Sequence, residues 1–499
     1  MASTRARARA APIDLAAVER AAAAFVHDLP PPARRHLERR RWDAGLTPAL
    51  RQAKGLFEPA HVGGLRSAAI ADGAQAPRAR ALLAFVAGGH LALVTAPLTD
   101  AIAAAEASAT VIWRGEEIGY HALRRRIAAI SARTERNALY ASYLAAEEAI
   151  NPLRWERGER IERGVRELGF ADGVELAAIS GSYDPDALGV SLRAFLTDSE
   201  TLYYAAIRRY LARIEVEQGD ASTADLWHLL SGSGWDHFFE PRATARAMDA
   251  TLRGLGLEAP DADAGQPGAG TAGWDRLTAA LRHVATDLRE RHADPAAPSA
   301  PAGLADPAAA EATASLFGGL PGEAGWLAGA LGVPPESTAG FVDFHALATL
   351  WLLRSDAARL LYQLRLHRGG AQAVHRAEYA GMVGLLTGIN EAEERYLVTV
   401  ADGLRVADDL RGRMLGDALR DHLEDHHSSE WWSVPAVGTA LGGLWRETAG
   451  WSAERVLARL GYDALDWRPG LRRLRVQLIG EMSGYGGPNI TTRAGTRKV

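Results

Sequence analysis

Apolar residues recur every three to four positions along most of this chain, which is the spacing of amphipathic α-helices. Stretches with this pattern include residues 13–27, 121–150, 188–216 and 274–292. Further helical stretches follow at about 308–317, 341–367, 375–387, 403–427, 434–449 and 452–460. The pattern therefore predicts an all-α protein.

Breaks in this pattern come from turn residues and from two short apolar runs. Asn151-Pro152 predicts the end of one helix, and a second helix over 153–168 then ends at Gly169. Strand-like runs are limited to Leu91–Thr95 and Thr110–Trp113. Glycine and proline mark loops over residues 258–273 and 293–307.

These loops and the two ends of the chain suggest a domain organisation. Residues 1–12 are basic and are expected to be a disordered tail, and residues 479–499 are expected to be a flexible tail. Between them we predict an N-terminal helical half over 13–255 and a C-terminal helical half over 256–478.

Composition narrows the possible functions. The 499 residues contain no cysteine, which excludes disulfides, thiolate nucleophiles and cysteine zinc sites. The net charge of -5 gives no sign of nucleic-acid binding. We see no signal-peptide pattern and no run near the roughly 20 apolar residues of a membrane span. These features predict a cytoplasmic protein without nucleic-acid or membrane partners.

Three segments of the chain carry a resemblance to a known family. These segments read NPLRWERGERIERGVRELGF at 151–170, YLVTVADGLRVADDLRGRMLGDALRDHL at 396–423, and WWSVPAVGTALGGLWRETAGWSAERVLARLGYDALD at 431–466. Their order resembles the thimet oligopeptidase and oligoendopeptidase F-like zinc peptidases, over about residues 110–468. The resemblance implies a bilobed helical ellipsoid with a deep central cleft that takes peptides.

The family holds zinc with His-Glu-x-x-His on one helix and a glutamate on the next, and the resemblance places this motif within 274–292. His283 stands at the first ligand, Val284 at the general base and Asp287 at the second ligand. Glu311, 24 positions after Asp287, stands at the third ligand. Valine cannot deprotonate a metal-bound water, a task worth roughly 100- to 10,000-fold in rate. The sequence therefore predicts a degenerate site, with no cofactor expected and with His283, Asp287 and Glu311 as vestigial metal positions.

Charged residues replace the tyrosines that line the cleft in the family. Arg405 and Asp409 occupy those positions, with Asp408 beside them. An arginine suits a carboxylate or phosphate, and an aspartate suits an amine or its proton. We therefore predict Arg405, Asp408, Asp409, His283 and Glu311 as catalytic residues. The alternative is a charged helical face with internal ion pairs.

Other polar side chains would border the cleft if the resemblance holds. The predicted ligand contacts are Arg405, His345, Tyr362, His367 and His228, and a role in the core or at the rim is the alternative for the last four. A ligand in the cleft would be a small molecule or peptide-like, and a protein partner is a further option.

Three functions remain open from the sequence. The first is a repurposed enzyme that works without metal on a polar peptide-like or amino-acid-derived substrate by displacement, elimination or cyclisation. The second is a pseudopeptidase that binds a peptide or protein without chemistry. The third is a residual metallohydrolase that uses His283, Asp287 and Glu311. The charged replacements favour the first.

Overall fold

The computed structural model describes residues 13–38, 41–71, 73–181, 183–258, 273–293, 304–369, 376–398, 400 and 403–484. Nearly all of these residues with regular structure are helical, which confirms the predicted all-α fold. The helices before the 259–272 gap are α1 (Leu15–His27), α2 (Pro31–Glu38), α3 (Thr47–Gln52), α4 (Pro59–Ile70), α5 (Ala76–Ser108), α6 (Tyr120–Ala129), α7 (Arg133–Glu167), α8 (Gly173–Ser180), α9 (Pro185–Asp198), α10 (Glu200–Arg213), α11 (Thr223–Leu230) and α12 (Pro241–Leu255).

The second part of the chain contains the helices that surround the candidate site. They are α13 (Trp274–His292), α14 (Pro307–Gly318), α15 (Ala324–Trp326, continued by a π-helical turn over Leu327–Leu331), α16 (Pro335–Gly369), α17 (Arg376–Thr387), α18 (Arg405–His426), α19 (Pro435–Glu447), α20 (Ala453–Arg459) and α21 (Arg468–Gly484). The boundaries of α13, α14 and α18 agree with those predicted from periodicity to within about two residues.

One β-hairpin interrupts the helices. Strand β1 (Thr110–Trp113) pairs antiparallel with β2 (Glu116–Gly119). Arg114 and Gly115 form the two-residue turn with φ of 53° and 84°, the conformation that matches the twist of a hairpin. The predicted strand at Thr110–Trp113 is confirmed. The predicted strand at Leu91–Thr95 is wrong, because these residues lie inside α5; a short apolar run has no periodicity that separates a strand from a buried helix.

Two predicted helix boundaries also differ from the structure. α7 continues through Pro152, so the predicted break at Asn151-Pro152 is wrong. The buried Asn151 side chain instead holds α7 to a later turn, donating to the Glu394 carbonyl at 2.7 Å. The helix predicted over 188–216 is two helices, α9 and α10, which meet at Ser199.

Apolar side chains of the described residues form one large core and several smaller ones. The largest combines residues from Val174 to Leu255 with residues from Leu277 to Leu478. A second core lies among α1 to α5 and the end of α7. These cores therefore do not separate at the predicted boundary near residue 255, although the division into two functional halves stays a prediction.

Among the described helices, α5 alone is long and apolar enough to cross a membrane by length and composition. The expectation that no stretch approaches such a length does not hold for this helix. Within the protein, 56% of its most apolar window is buried, and α5 packs against α4 and α7. Burial in the core is sufficient to explain the apolar composition of α5.

Helices α13, α14 and α18 form the layer that carries the predicted site. Small residues bring α14 and α18 close together, because a β-carbon at Gly412 would collide with the Glu311 side chain and one at Gly416 would collide with Ser315. α14 presents Ala308 and Ala312 to this contact, and both are buried. The close packing fixes Glu311 directly against the charged face of α18.

Candidate functional site

Glu311 on α14 faces an arginine from α13. Nη2 of Arg282 lies 2.7 Å from Oε1 and 2.6 Å from Oε2 of Glu311. The two side chains are only 24% and 13% exposed, so water screens this pair weakly. Burial by itself would lower the pKa of Arg282, but the charge and hydrogen bonds of Glu311, together with the charges of Asp409 and Asp356, raise that pKa overall. Glu311 therefore lies against a permanent cation.

The predicted metal positions on α13 point to a different flank of the helix. His283 Nε2 lies 3.4 Å from Asp287 Oδ2, one turn along, while Val284 is buried in the large core. The residue that faces Glu311 is thus Arg282, one position before the predicted His283. His283, Asp287 and Glu311 do not form a metal-suited group among the described residues, and their role as vestigial metal positions stays a prediction.

This donor set does not fit the zinc ion that the family resemblance implies. A zinc site needs three protein side chains of the histidine, cysteine or carboxylate type around one point. No group of three or more such side chains suited to a metal occurs among the described residues. At Glu311 the partner from α13 is a guanidinium, whose positive charge opposes a divalent cation.

α18 presents alternating charges toward Glu311. Arg405, Asp409 and Arg413 follow at intervals of four residues, so they share one face of the helix. Burial, together with the negative charges of Glu311 and Asp356, raises the pKa of Asp409 to about 7, against the opposing effect of Arg405 and Arg413. Asp409 is therefore a carboxyl group that exchanges a proton near neutral pH.

Asp356 on α16 completes this charged cluster. It is 7% exposed, and burial raises its pKa, with Arg359 and Arg413 opposing and Glu311 adding to the increase. The structure thus brings three of the predicted catalytic residues, Arg405, Asp409 and Glu311, into one cluster. Asp356, Arg413 and Arg282 belong to it as well, and the sequence analysis did not select them.

Asp408 serves a different contact from its neighbour. Its Oδ1 accepts from Arg411 Nη1 at 3.0 Å, and Arg411 also bonds Asp306 at 2.8 Å and Glu454 at 2.9 Å. Arg411 is 2% exposed, so this network is a buried tie between α18, α20 and the start of α14. The predicted catalytic role of Asp408 stays a prediction, and its observed partner is structural.

An arginine-rich cavity of about 300 Å³ lies between α13, α14, α16, α18 and α21, and we call it the arginine cavity. Four arginines line it, namely Arg282, Arg413, Arg420 and Arg473. Only two acids, Glu323 and Asp417, line it as well. The cavity wall therefore carries an excess of positive charge.

Some donors on this wall have no partner among the described residues. Arg420 pairs with Glu323 and Glu424, and Arg473 pairs with Asp417 and Asp421. Arg413 forms no ion pair with a described residue, and its buried Nε has no hydrogen-bond partner. Buried Nε1 of Trp274 and Oγ1 of Thr278 on the same wall also have none. Arg413, Trp274 and Thr278 all line this cavity, whose arginines suit an anionic group.

His345, predicted as a ligand contact, lies in this cavity. It is 7% exposed, and burial together with Arg420 lowers the pKa of its imidazole to about 4. His345 is therefore neutral at physiological pH and can offer a hydrogen bond without adding charge.

The other predicted ligand contacts lie elsewhere. His367 and Arg405 line a second cavity, between α5, α7, α8, α16 and the start of α18. Tyr362 is 1% exposed and packs edge-on against Tyr379 in a small aromatic core, which is a core position and not a cleft position. Nδ1 of His228 lies 2.7 Å from the Ala128 carbonyl, so one ring nitrogen is already engaged between α6 and α11.

A cleft of about 920 Å³ lies between α9, α10, α16 and α17. It contains Arg193, Arg365 and Arg368 but none of the predicted site residues.

The fold was compared with solved structures. PZ peptidase A with a bound inhibitor matches with a TM-score of 0.60 and 10% identity, covering 96% of this chain and 99% of that one. Oligoendopeptidase F from Enterococcus faecium matches at 0.58 and 12%, covering 87% and 86%. This chain has the oligoendopeptidase fold. A putative oligoendopeptidase F supports the same conclusion, at 0.56 and 14% identity over 96% and 98% of the two chains.

Sequence comparison adds nothing to the structural similarity, since neither a protein-family model nor a curated protein sequence matches this chain. The oligoendopeptidase fold has thus been kept at 10–14% identity, a level at which site residues need not be shared. Function must therefore be argued from the side chains present.

Proposed function

We propose that this chain is a catalytically degenerate form of the oligoendopeptidase fold that does not cleave peptides through zinc. It instead acts without metal on an anionic, peptide-like or amino-acid-derived substrate bound in the arginine cavity. The observation that carries the proposal is the Arg282–Glu311 pair, since it replaces a metal-ligand contact by a closed ion pair. We further propose a cytoplasmic location and a small-molecule ligand.

Arg413 is the proposed anchor for the substrate anion. A guanidinium binds carboxylate or phosphate through charge-assisted hydrogen bonds, and Arg413 has no competing ion pair with a described residue. Trp274 and Thr278 supply further donors from α13. Their combined effect is to hold an anionic group against α18.

Asp409 is the proposed proton acceptor and donor. It lies one helical turn before Arg413, and a pKa of about 7 leaves it partly protonated and partly ionised at neutral pH. General acid–base groups are most effective with a pKa near the operating pH. A displacement, elimination or cyclisation that removes a proton from an amine or carbon next to the bound anion suits this arrangement.

Metal content and peptide cleavage test the first half of the proposal. We expect the purified chain to contain far less than one zinc per molecule after dialysis and to leave internally quenched peptides uncut. The variant Arg282→His, His283→Glu, Thr286→His places two histidines on the face toward Glu311 and should gain zinc. The matched variant Val284→Glu, Asp287→His, one position later, should not. Stoichiometric zinc and peptide cleavage by the unaltered chain would refute the proposal.

Anion binding tests the second half. Inorganic phosphate and L-glutamate are titrated into the chain by calorimetry, with Arg413→Gln and the exposed control Arg242→Gln on α12. We expect Arg413→Gln to weaken binding at least about tenfold, as loss of a charge-assisted hydrogen bond does. Equal affinities for the two variants would reject Arg413 as the anchor.

A further inference from the structure

A second cavity lies at the start of α18, away from the arginine cavity. It has two adjoining chambers of about 210 and 120 Å³ that share Arg157, Ile161, His367 and Gly403. The walls are mainly apolar, with Leu91, Ala92, Val165, Leu366 and Leu397 among them. We call this space the His367 cavity. Its few polar groups therefore determine what it can bind.

A buried histidine–glutamate pair stands where the two chambers meet. Nδ1 of His367 lies 2.6 Å from Oε1 of Glu162, across 205 residues of sequence. The side chains are only 8% and 6% exposed. A β-carbon at position 173 would lie 2.9 Å from His367 Nδ1, so Gly173 at the start of α8 leaves the space that the imidazole occupies. The pair is therefore a built feature of the fold.

The second polar atom of each side chain has no hydrogen-bond partner among the described residues. Nε2 of His367 and Oε2 of Glu162 are both buried in this way. A buried polar atom without a hydrogen-bond partner destabilises the fold, and a charged one does so more strongly. Two such atoms on one pair indicate a place for a hydrogen-bonding ligand.

The chemistry of the pair indicates what that ligand must supply. Because a carboxylate only accepts, the imidazole proton lies on Nδ1, and Nε2 of a neutral His367 is an acceptor. Glu162 Oε2 is an acceptor as well. A group with several hydrogen-bond donors and a positive charge satisfies both atoms, which describes an ammonium group.

A cation on the wall of the same cavity supplies the complementary group. Arg405, the first residue of α18, lines the chamber that contains His367 and forms no ion pair with a described residue. Gly403, with a φ of 60°, forms the turn that leads the chain into α18. Arg405 can therefore receive a carboxylate in this chamber, which Arg157 and Asp408 line as well.

We propose that the His367 cavity binds a small apolar α-amino acid, with its ammonium group on Glu162 and His367 and its carboxylate on Arg405. The aliphatic walls take the side chain. This site does not depend on the function proposed for the arginine cavity, since the two cavities share no lining residue.

Calorimetry with three related probes tests this proposal on the full chain. L-leucine carries both charged groups, 3-methylbutylamine lacks the carboxylate, and 4-methylpentanoate lacks the amine. We expect leucine to bind at least about tenfold more tightly than either analogue, because each charged contact contributes separately. An analogue that binds as tightly as leucine, or no leucine binding at millimolar concentration, would overturn the proposal.

Variants and competition locate the ligand. Glu162→Gln and Arg405→Gln should each weaken leucine binding at least about tenfold, and Glu167→Gln, exposed on the same helix α7, should not. Melting temperatures show whether each variant folds. If Glu162→Gln does not fold, Arg405→Gln still decides the test, because Arg405 is half-buried and forms no ion pair with a described residue. Unchanged affinity in Arg405→Gln, or displacement of leucine by inorganic phosphate, would place the ligand elsewhere and reject the site.

Discussion

Asp409 makes a specific prediction about the pH dependence of stability. The folded protein holds the pKa of this carboxyl at about 7, whereas an aspartate in an unfolded chain titrates near 3.9. Between these values the folded state keeps a proton that the unfolded state has released. The contribution of protonated Asp409 to the free energy of unfolding is therefore complete below about pH 4. It is lost as pH rises through about 7.

The size of the effect follows from the same two values. One pKa unit corresponds to about 1.36 kcal/mol, so the largest loss of stability attributable to Asp409 across this interval is about 4 kcal/mol. Asparagine keeps the shape of the side chain and does not ionise. The variant Asp409→Asn should therefore lose less stability than the unaltered protein between pH 5 and pH 8.

Urea unfolding followed by tryptophan fluorescence at pH 5 and pH 8 measures the difference. Asp425→Asn, at an exposed position near the end of the same helix α18, is the control and should keep the pH dependence of the unaltered protein. Parallel pH profiles for the unaltered protein and Asp409→Asn would refute the reasoning. So would a larger loss of stability at pH 8 in the variant, since that result means that Arg405 and Arg413 stabilise the ionised form.

Three further predictions concern packing and pairing around the same cluster. Arg282→Met should lower the free energy of unfolding by about 3–5 kcal/mol, because it leaves Glu311 buried without its cation. Adding Glu311→Leu should restore most of the lost free energy. A double variant that does not recover in urea titration would contradict this. Gly412→Ala should lower the melting temperature, whereas Gly443→Ala in α19, where nothing lies within 4 Å, should not. Tyr362→Phe should leave stability and ligand binding within experimental error, since its buried hydroxyl has no partner among the described residues; a loss of ligand affinity would return Tyr362 to the site.

Periodicity predicted the helical fold well because it depends only on local spacing. The prediction failed for segments in which tertiary contacts, and not the local sequence, determine the secondary structure. Pro152 reads as a helix end, yet α7 continues through it because the helix is held by packing against α5 and by Asn151. Leu91–Thr95 reads as a strand because four apolar residues and a threonine carry no period, but these residues lie inside the longer helix α5.

The candidate site was predicted in part. Arg405, Asp409 and Glu311 were selected from the resemblance, and the structure brings them together. The contact between Arg282 and Glu311 joins residues 29 apart on different helices, so the face of α13 that meets Glu311 could not be read from spacing alone. No sequence pattern marked Glu162 as a site residue, because only folding brings it to His367. Arg413 could have been selected from the sequence, because it follows Asp409 by one helical turn.

The single charged face of α18 has a thermodynamic consequence. Arg405 lines the His367 cavity, Arg413 lines the arginine cavity, and Asp409 lies one turn from each. Under the two binding proposals, an anion on either arginine would weaken the positive field that favours ionised Asp409, so a single proton would couple the two cavities. Reciprocity then requires that two ligands filling these cavities alter each other's affinity by the same factor, with a pH dependence centred on the titration of Asp409.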